Sequence, residues 1–249
     1  MMRRRALALG ILGLVACGCF PGGGAPAKGR ARVIPCRRAT SKIVIDGKLD
    51  EAAWENARPV DDFAIPPTGA KPRHPTSARL LWDDQFLYLG VVMEDFDVTA
   101  VKKDHDAWLW EDDVCELFLK PSTVDHHYYE LQVTPLGTTL DLLIPRRGAG
   151  TFDRWKTWES GIKAAIAISG TLNDWHDQDK GWVVEAAIPL AAFAPDTHKP
   201  QLGDHWRFAV CRYDYSVYLD EGRELSSSAR LSKLNFHWFE DYDILEFSE

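Results

Sequence analysis

The sequence lacks the signature motifs of several large enzyme classes. It contains no HExxH motif, no pair of CxxC motifs, no GxSxG elbow and no phosphate-binding loop. These motifs position zinc ligands, a serine nucleophile or nucleotide phosphates, so their absence argues against zinc enzymes, α/β-hydrolases and nucleotide-dependent enzymes. The sequence also has no internal repeat and no long segment with helical periodicity, so parallel βαβ units are not expected.

Positive charge is scarce as well. The chain has 29 Lys and Arg against 37 Asp and Glu, for a net charge of -8 with histidine neutral. Three of the basic residues, and none of the acidic ones, lie in the first sixteen positions, so the rest of the chain is more acidic still. Such a surface repels phosphate backbones and anionic lipid headgroups. Nucleic acid is therefore not an expected partner.

An apolar run near the N-terminus is typical of an export signal. Three consecutive arginines from position 3 precede apolar residues 6–16, a run too short to span a bilayer. The run ends in Leu-Val-Ala before Cys17, which resembles the lipobox of bacterial lipoproteins, with Cys19 as a weaker alternative. We expect a lipid-anchored protein of the bacterial cell envelope that contacts the membrane only through this anchor.

The residues after the export signal favour a tether followed by one domain. Residues 20–31, FPGGGAPAKGRA, are rich in Gly, Pro and Ala and have no periodic apolar pattern. We predict a signal peptide at 1–16, an anchor and tether at 17–39, and a single folded domain at 40–249. With 45% hydrophobic and 11% aromatic residues, the chain can bury a sizeable core.

Short β-like runs between turn signals predict an all-β fold. These runs are residues 42–45, 76–82, 86–94, 114–119, 128–134, 139–144, 162–169, 182–188, 206–213 and 244–247. Tight turns at 83–85 and 179–181 predict antiparallel hairpins. Helix is expected only as short turns at 51–56, with Trp54 facing inward, and at 190–193. The predicted class is an antiparallel β-sandwich of the jelly-roll or immunoglobulin-like type.

Three cysteines follow the tether: Cys36, Cys115 and Cys211. An odd number permits one disulfide and one free thiol in an oxidising compartment, and the sequence does not choose the pair. Cys115 and Cys211 lie in apolar strand-like runs, which favours buried thiols that act as small hydrophobic residues.

Six segments resemble carbohydrate-binding module family 9. They are IDGKLDEAAW, LLWDDQFLYLGVVMED, WLWEDDVCELFL, WVVEAAIPL, WRFAVCRYD and NFHWFEDYDILEF, in the family's order from about residue 40 to the C-terminus. The resemblance implies a β-sandwich that holds the end of a saccharide between two aromatic rings while polar side chains bind its hydroxyls. It also implies structural calcium in some members.

The resemblance places the first aromatic ring at Trp110 and a hydroxyl acceptor at Glu116. An aromatic plane suits the C–H faces of a pyranose, and a carboxylate accepts strongly from its rim hydroxyls. Each residue also has a structural alternative. Trp110 could be a core aromatic beneath a loop, and Glu116 could be an outward strand residue that shares its face with Val114 and Phe118.

Alignment backwards from the last strand places the second ring at Phe236, with Asn235 and His237 beside it. Trp238 is an alternative for this ring, and core packing is an alternative role for Phe236. Further binding candidates are Gln132, Arg212 and Tyr213, which occupy strand positions near the ligand in the family.

Calcium is an expectation that comes from the resemblance. The densest acidic segment is NDWHDQDKG at residues 173–181, which lacks the distal glutamate of an EF-hand. A solvated hairpin loop explains this segment equally well.

The leading functional hypothesis is non-catalytic saccharide binding in support of polysaccharide catabolism, beside a separate glycan-degrading enzyme. One alternative is a b-type haem electron-transfer domain with Met93 and His237 as axial ligands, since a related sandwich superfamily binds haem in this way. A second alternative is glycoside hydrolysis by two carboxylates from the set Glu111, Asp112, Asp113 and Glu116.

Overall fold

The computed structural model describes residues 31–193 and 198–249. The predicted signal peptide, Cys17 and the tether up to residue 30 lie outside these residues. No helix in the described ranges is long and apolar enough to cross a membrane.

The described residues form an almost entirely β structure. The strands are β1 (Val33–Arg38), β2 (Thr76–Trp82), β3 (Phe86–Glu94), β4 (Val114–Lys120), β5 (Tyr128–Val133), β6 (Thr139–Ile144), β7 (Lys163–Ser169), β8 (Gly181–Pro189), β9 (His205–Tyr215), β10 (Arg223–Ser227) and β11 (Asp243–Ser248). Two short α-helices are α1 (Ala52–Glu55) and α2 (Phe152–Trp155). Single turns of 3₁₀ helix are Leu109–Glu111, Leu190–Phe193 and Phe239–Asp241.

All of these strands belong to one curled sheet. Its order is β6-β5-β4-β9-β11-β1-β2-β3-β8-β7, and β10 pairs with β9 outside this path. The pairs are antiparallel except those that β1 makes with β11 and β2, which are parallel. The sheet closes on itself as a sandwich, because Leu117 and Leu131 from one half share a buried core with Val91 and Val184 from the other. The predicted all-β sandwich class is confirmed.

The predicted runs from 76–82 onwards all correspond to strands, with ends that differ by one or two residues. Both predicted hairpins are antiparallel. The helical turn at 190–193 is present, and α1 buries Trp54, whose indole Nε1 donates to Glu185 at 3.1 Å. The run at 42–45 is not a strand, although Ile43 is buried beside Trp54.

Strand β1 lies where the sequence favours a tether. It begins at Val33, inside the segment 17–39 assigned to the anchor and tether, so the folded part starts before residue 40. Ile34 and Cys36 are buried, and both neighbours of the strand are parallel. Pro35 and the two arginines after Cys36 hid this strand, because proline and charge are uncommon in a central strand.

Side chains of β4 alternate between two buried layers. Cys115 and Leu117 face the core inside the sandwich, whereas Val114 and Phe118 pack in a second cluster on the outer face. This alternation confirms the predicted face pattern. The outer cluster is covered by the loop that carries Phe236.

The three cysteines described by the structure are free and buried. Cys115 lies in the inner core and Cys211 in the outer cluster, on opposite faces of the sheet. Burial raises the pKa of each thiol, so all three remain protonated and pack as small apolar groups.

Gly181 is required by the close approach of β8 to β3. Its φ is +130°, and an added Cβ would stand 1.9 Å from the carbonyl oxygen of Met93. We expect Gly181→Ala to lower the free energy of unfolding by more than about 2 kcal/mol, because backbone strain and a backbone clash add together. Urea denaturation measures the loss.

Gly203→Ala is the matched control. Gly203 also has a positive φ, +85°, but nothing lies within 4 Å of an added Cβ. This variant should lose about 1 kcal/mol from the backbone term alone. Equal losses of unfolding free energy in the two variants would show that the clash with Met93 does not contribute to the destabilisation of Gly181→Ala.

Candidate functional site

A cavity of about 520 Å³ lies on the outer face of the sheet, and we call it the outer-face cavity. Its floor consists of strand residues from β4, β5, β6 and β9: Glu116, Phe118, Glu130, Gln132, Leu142 and Tyr213. Its walls are residues from β10, helical turns and loops: Trp110, Phe152, Trp155, Leu225, Leu234, Asn235, Phe236 and His237. Side chains two residues apart on a strand share one face, so β4 and β5 each supply two neighbouring floor positions.

Two buried aspartates hold the segment that carries the first aromatic wall. Asp112 Oδ2 accepts hydrogen bonds from the backbone N–H groups of residues 101–102 at 2.8 and 2.7 Å. The carboxylate of Asp113 accepts from the N–H groups of Thr99 and Tyr215, both at 2.7 Å. The acidic stretch therefore fixes this loop through backbone bonds instead of offering free carboxylates to a ligand.

Trp110 lies in the 3₁₀ turn before these aspartates and is half-buried. Its ring stacks against Trp108 at 5.8 Å and 17°, and meets Phe152 edge-on at 5.4 Å. Its carbonyl oxygen accepts from the Tyr215 hydroxyl at 2.8 Å. The indole is therefore held in a fixed orientation at the cavity wall.

The floor carries two carboxyl groups bridged by one amide. Gln132 Nε2 donates to Glu116 Oε1 at 2.8 Å and to Glu130 Oε1 at 2.6 Å. Burial, and then the charge of Glu130, raise the pKa of Glu116 well above its usual range. Burial also raises the pKa of Glu130, although His237 and Gln132 oppose that shift. The floor is rich in hydrogen-bond acceptors and can retain a proton at higher pH than a surface carboxylate.

The raised pKa of Glu116 predicts a pH dependence of stability. The native state binds the proton of Glu116 more tightly than the unfolded chain does. Protonation of Glu116 therefore stabilises the native state at low pH. This stabilisation is lost as the pH rises from the ordinary value of 4.5 through the raised native pKa. Glu116→Gln removes the buried charge. The variant should be more stable than wild type at neutral pH, by a margin that shrinks as the pH falls toward 5.

Urea denaturation at several pH values measures this margin. The exposed Glu221 gives a matched control, because Glu221→Gln removes a carboxylate outside the buried floor. A margin for Glu116→Gln that is constant with pH would contradict the assignment of this titration to the cavity floor.

Phe236, the predicted second ring, both lines the cavity and packs in the outer cluster. It is 5% exposed, and its ring meets Tyr213 edge-on at 5.4 Å and Phe118 at 6.4 Å. Trp238, its sequence alternative, is not among the cavity residues. Its ring packs beneath the Arg147 guanidinium at 4.1 Å. Geometry therefore favours Phe236 over Trp238 as the second aromatic wall.

Asn235 and His237 flank this ring at the cavity rim. The Asn235 Oδ1 accepts from the backbone N–H of His237 at 3.0 Å, which fixes the loop. The His237 ring bonds the Tyr128 hydroxyl at 3.1 Å and lies 3.7 Å from Glu130 Oε2. The imidazole thus connects the rim to the carboxyl pair on the floor.

Arg212 is the predicted binding residue that does not line the cavity. It alternates with Tyr213 on β9, so it points to the opposite face of the sheet and is 1% exposed. Its Nη2 lies 2.9 Å from Asp95 and 3.4 Å from Asp214, and Nη1 donates to the Glu94 carbonyl at 2.7 Å. The prediction that Arg212 lies beside the ligand is therefore wrong. Arg212 belongs to a buried ion-pair cluster between the halves of the sandwich.

This cluster predicts a structural role for Arg212. Removing the cation leaves Asp95 buried without its guanidinium partner and leaves Asp214 with only the imidazole of His74, 2.8 Å away, so Arg212→Ala should lose about 3–5 kcal/mol of unfolding free energy. Chemical denaturation tests this value, with exposed Arg223→Ala as a control that should change stability by less than about 0.5 kcal/mol. A stable Arg212→Ala protein would contradict this role.

The sequence did not indicate Glu130, Phe152 or Trp155. Glu130 is two residues from Gln132 on β5, so strand alternation alone could have placed it on the same face. Phe152 and Trp155 lie on α2 with i, i+3 spacing, which predicts a shared helix face but not the surface that it covers.

The acidic segment 173–181 does not form a convergent set of metal ligands. Both oxygens of Asp179 accept backbone N–H groups, from Val98 and Thr171, and Asp174 pairs with His176. Two other clusters have spacings within reach of a cation: His74 with Asp95 and Asp214, and His105 with Asp106 and Glu159. The first already contains the guanidinium of Arg212. A structural calcium ion stays a prediction.

The residues predicted as haem ligands lie in different layers. Met93 is 1% exposed in the inner core, whereas His237 lines the outer-face cavity. The sheet separates the two side chains, so they cannot be the axial ligands of one haem.

A β-sandwich with an aromatic-walled cavity on an outer sheet face has the architecture of a binding module. The family model described as "Carbohydrate family 9 binding domain-like" matches residues 45–224, and the chain belongs to this family. No curated protein is significantly similar to the chain in sequence.

Solved structures share this fold at low sequence identity. A family 9 carbohydrate-binding module from Caldicellulosiruptor kristjanssonii in complex with cellotriose has a TM-score of 0.57 and 16% identity, over 87% of this chain and 94% of that one. The glucose complex of a family 9 module from the same organism has a TM-score of 0.56 and 17% identity, over 87% and 96%. A protein from Bacteroides uniformis ATCC 8492, described as a candidate carbohydrate-binding protein, has a TM-score of 0.67 and 16% identity, over 88% and 100%.

Proposed function

We propose that this domain binds a neutral saccharide in the outer-face cavity without catalysis. The observation that carries the proposal is the convergence of Trp110, Glu116, Gln132, Tyr213 and Phe236 on one cavity from four separate chain segments. Family membership and the saccharide complexes of its structural neighbours support the same ligand class.

The walls suit the apolar faces of a sugar ring. Trp110 and Phe236 lie on different segments that border the same space, and each ring is fixed by aromatic neighbours. A pyranose has C–H groups on both faces, so it can pack between two such rings. Rings that are already fixed lose little conformational entropy on binding.

The floor suits hydroxyl groups. Glu130 Oε2 and Gln132 Oε1 are buried and have no hydrogen-bond partner among the described residues. A bound hydroxyl can donate to such acceptors and remove their desolvation cost. The cavity lining contains two glutamates and neither lysine nor arginine. The lining therefore offers no Lys or Arg partner for the anionic groups of uronic acids and sulfated sugars, so neutral sugars are favoured.

The same geometry does not favour glycoside hydrolysis. Of the four predicted catalytic acids, Asp112 and Asp113 are bound to backbone amides, and Glu111 pairs with Lys102. Glu116 remains, with Glu130 beside it, but both carboxylates bond the same amide nitrogen. They would face a ligand from one side, whereas glycosidases place two carboxyl groups on either side of the scissile bond.

The proposal includes a place in the bacterial cell envelope. A lipid anchor at Cys17 would hold the domain at a membrane, where it would capture glycans for a separate degrading enzyme. The sequence pattern before Cys17 supports this part of the proposal.

Replacement of the first aromatic wall should abolish most of the affinity. Trp110→Ala removes the stacking surface and is expected to lower saccharide affinity at least about 30-fold, or about 2 kcal/mol. Tryptophan fluorescence and calorimetry with cello-, xylo- and manno-oligosaccharides measure binding.

Trp238→Ala is the matched control, because this indole lies outside the cavity. It should bind as wild type does, while oligogalacturonides should bind neither protein. A folded wild-type domain that binds no neutral saccharide would refute the proposed function. Loss of binding in Trp238→Ala, with binding retained in Trp110→Ala, would refute the assignment of the walls.

A further inference from the structure

A separate cavity of about 500 Å³ lies at one end of the sandwich, and we call it the distal cavity. It lies between the segment after β3, the β7–β8 loop and the β9–β10 loop. Its principal lining residues are Asp97, Thr99, Asp174, Trp175, Tyr215 and Val217. None of them lines the outer-face cavity.

The wall that carries the tryptophan of the distal cavity is fixed by side-chain hydrogen bonds. Asn173 Oδ1 accepts from the Ala100 N–H at 2.9 Å and from the Thr99 hydroxyl at 3.0 Å, and its Nδ2 donates to the Ala100 carbonyl at 2.9 Å. Asp179 Oδ2 accepts from the Val98 N–H at 2.8 Å. These bonds join the β7–β8 loop to the segment after β3 and hold both sides of the cavity in place.

Three exposed apolar side chains border the distal cavity. Trp175 is 58% exposed, Val101 64% and Val217 62%, and all three border the same space. His176 stacks on Trp175 at 4.1 Å and 26°, which orients the indole. Exposed apolar groups that cluster around a cavity mark a binding surface more often than scattered ones do.

A buried carboxylate accompanies these apolar groups. Asp97 is 6% exposed, and its Oδ2 accepts from the Val217 N–H at 2.8 Å. Its Oδ1 has no hydrogen-bond partner in the described ranges of the chain. An unsatisfied buried acceptor at a cavity wall matches a ligand that donates a hydrogen bond.

The two cavities are neighbours along one face of β9. Tyr213 lines the outer-face cavity and Tyr215 the distal cavity, and their rings are stacked with centroids 6.4 Å apart. The Tyr215 hydroxyl donates to the carbonyl of Trp110. The stacked tyrosines therefore place the two cavities side by side, within the span of a short oligosaccharide.

We propose that the distal cavity is an additional subsite for the same neutral oligosaccharide, with Trp175 as its platform and Asp97 as a hydroxyl acceptor. This inference rests on the proposed function of the outer-face cavity. The distal cavity repeats the chemistry of that site: an aromatic plane beside a buried carboxylate, with no lysine or arginine in the lining. This combination suits a sugar ring, whereas a purely apolar groove would suit a protein segment.

The test compares ligands of different length. Cellobiose and cellohexaose are titrated into the folded domain of wild type, Trp175→Ala, Asp97→Asn and the control Trp238→Ala. Wild type should bind cellohexaose at least about tenfold more tightly than cellobiose, one ligand per chain. Trp175→Ala should lose most of that gain and Asp97→Asn part of it, while both retain wild-type affinity for cellobiose.

The outcomes separate the two proposals. Equal affinity of wild type for the two ligands, an unchanged gain in Trp175→Ala, or two cellobiose molecules per chain would overturn the additional subsite while leaving the first cavity intact. No binding of either ligand by wild type would overturn the proposed function, and this inference with it.

Discussion

The structure depends on the alternation of side chains along β4. One set of residues, including Leu117, fills the core between the halves of the sandwich, and the intervening set, including Glu116, forms the floor of the outer-face cavity. The two roles cannot be separated, because a shift of one residue in register would exchange them. Pairing of β4 with both β5 and β9 fixes this register, so the same hydrogen bonds that stabilise the fold also direct Glu116 and Phe118 into the outer-face cavity.

Carboxylates serve two different purposes around this floor. Asp112 and Asp113 accept hydrogen bonds from backbone amides and hold the Trp110 segment in place, although burial still raises the pKa of Asp113 well above its usual range. Glu116 and Glu130 share a single amide, and burial raises the pKa of both. Of these four carboxyl groups, only Glu116 and Glu130 line the outer-face cavity, where Glu130 Oε2 is a buried acceptor without a hydrogen-bond partner among the described residues.

Much of the fold and of the cavity could be predicted from the sequence, for reasons that particular residues make clear. Strands such as β2 and β3 have strong apolar patterning bounded by turn residues, whereas β1 was hidden by Pro35 and β10 by its polar sequence RELSS. The family motifs predicted that Trp110 and Glu116 belong to one site, and both residues line the outer-face cavity. Arg212 was misplaced because the resemblance identified its strand but not its face.

The sequence did not reveal how loops and short helices form the walls of the two cavities. Helix α2 brings Phe152 to the edge of Trp110, and nothing in its local pattern indicates that partner. At the distal cavity, Asn173 likewise bonds a segment more than 70 residues away in sequence. Binding surfaces of this kind combine a rigid sheet, whose faces follow from alternation, with loops whose positions depend on a few long-range polar bonds. Strand patterns can therefore predict the floor of a cavity, whereas its walls require the folded structure.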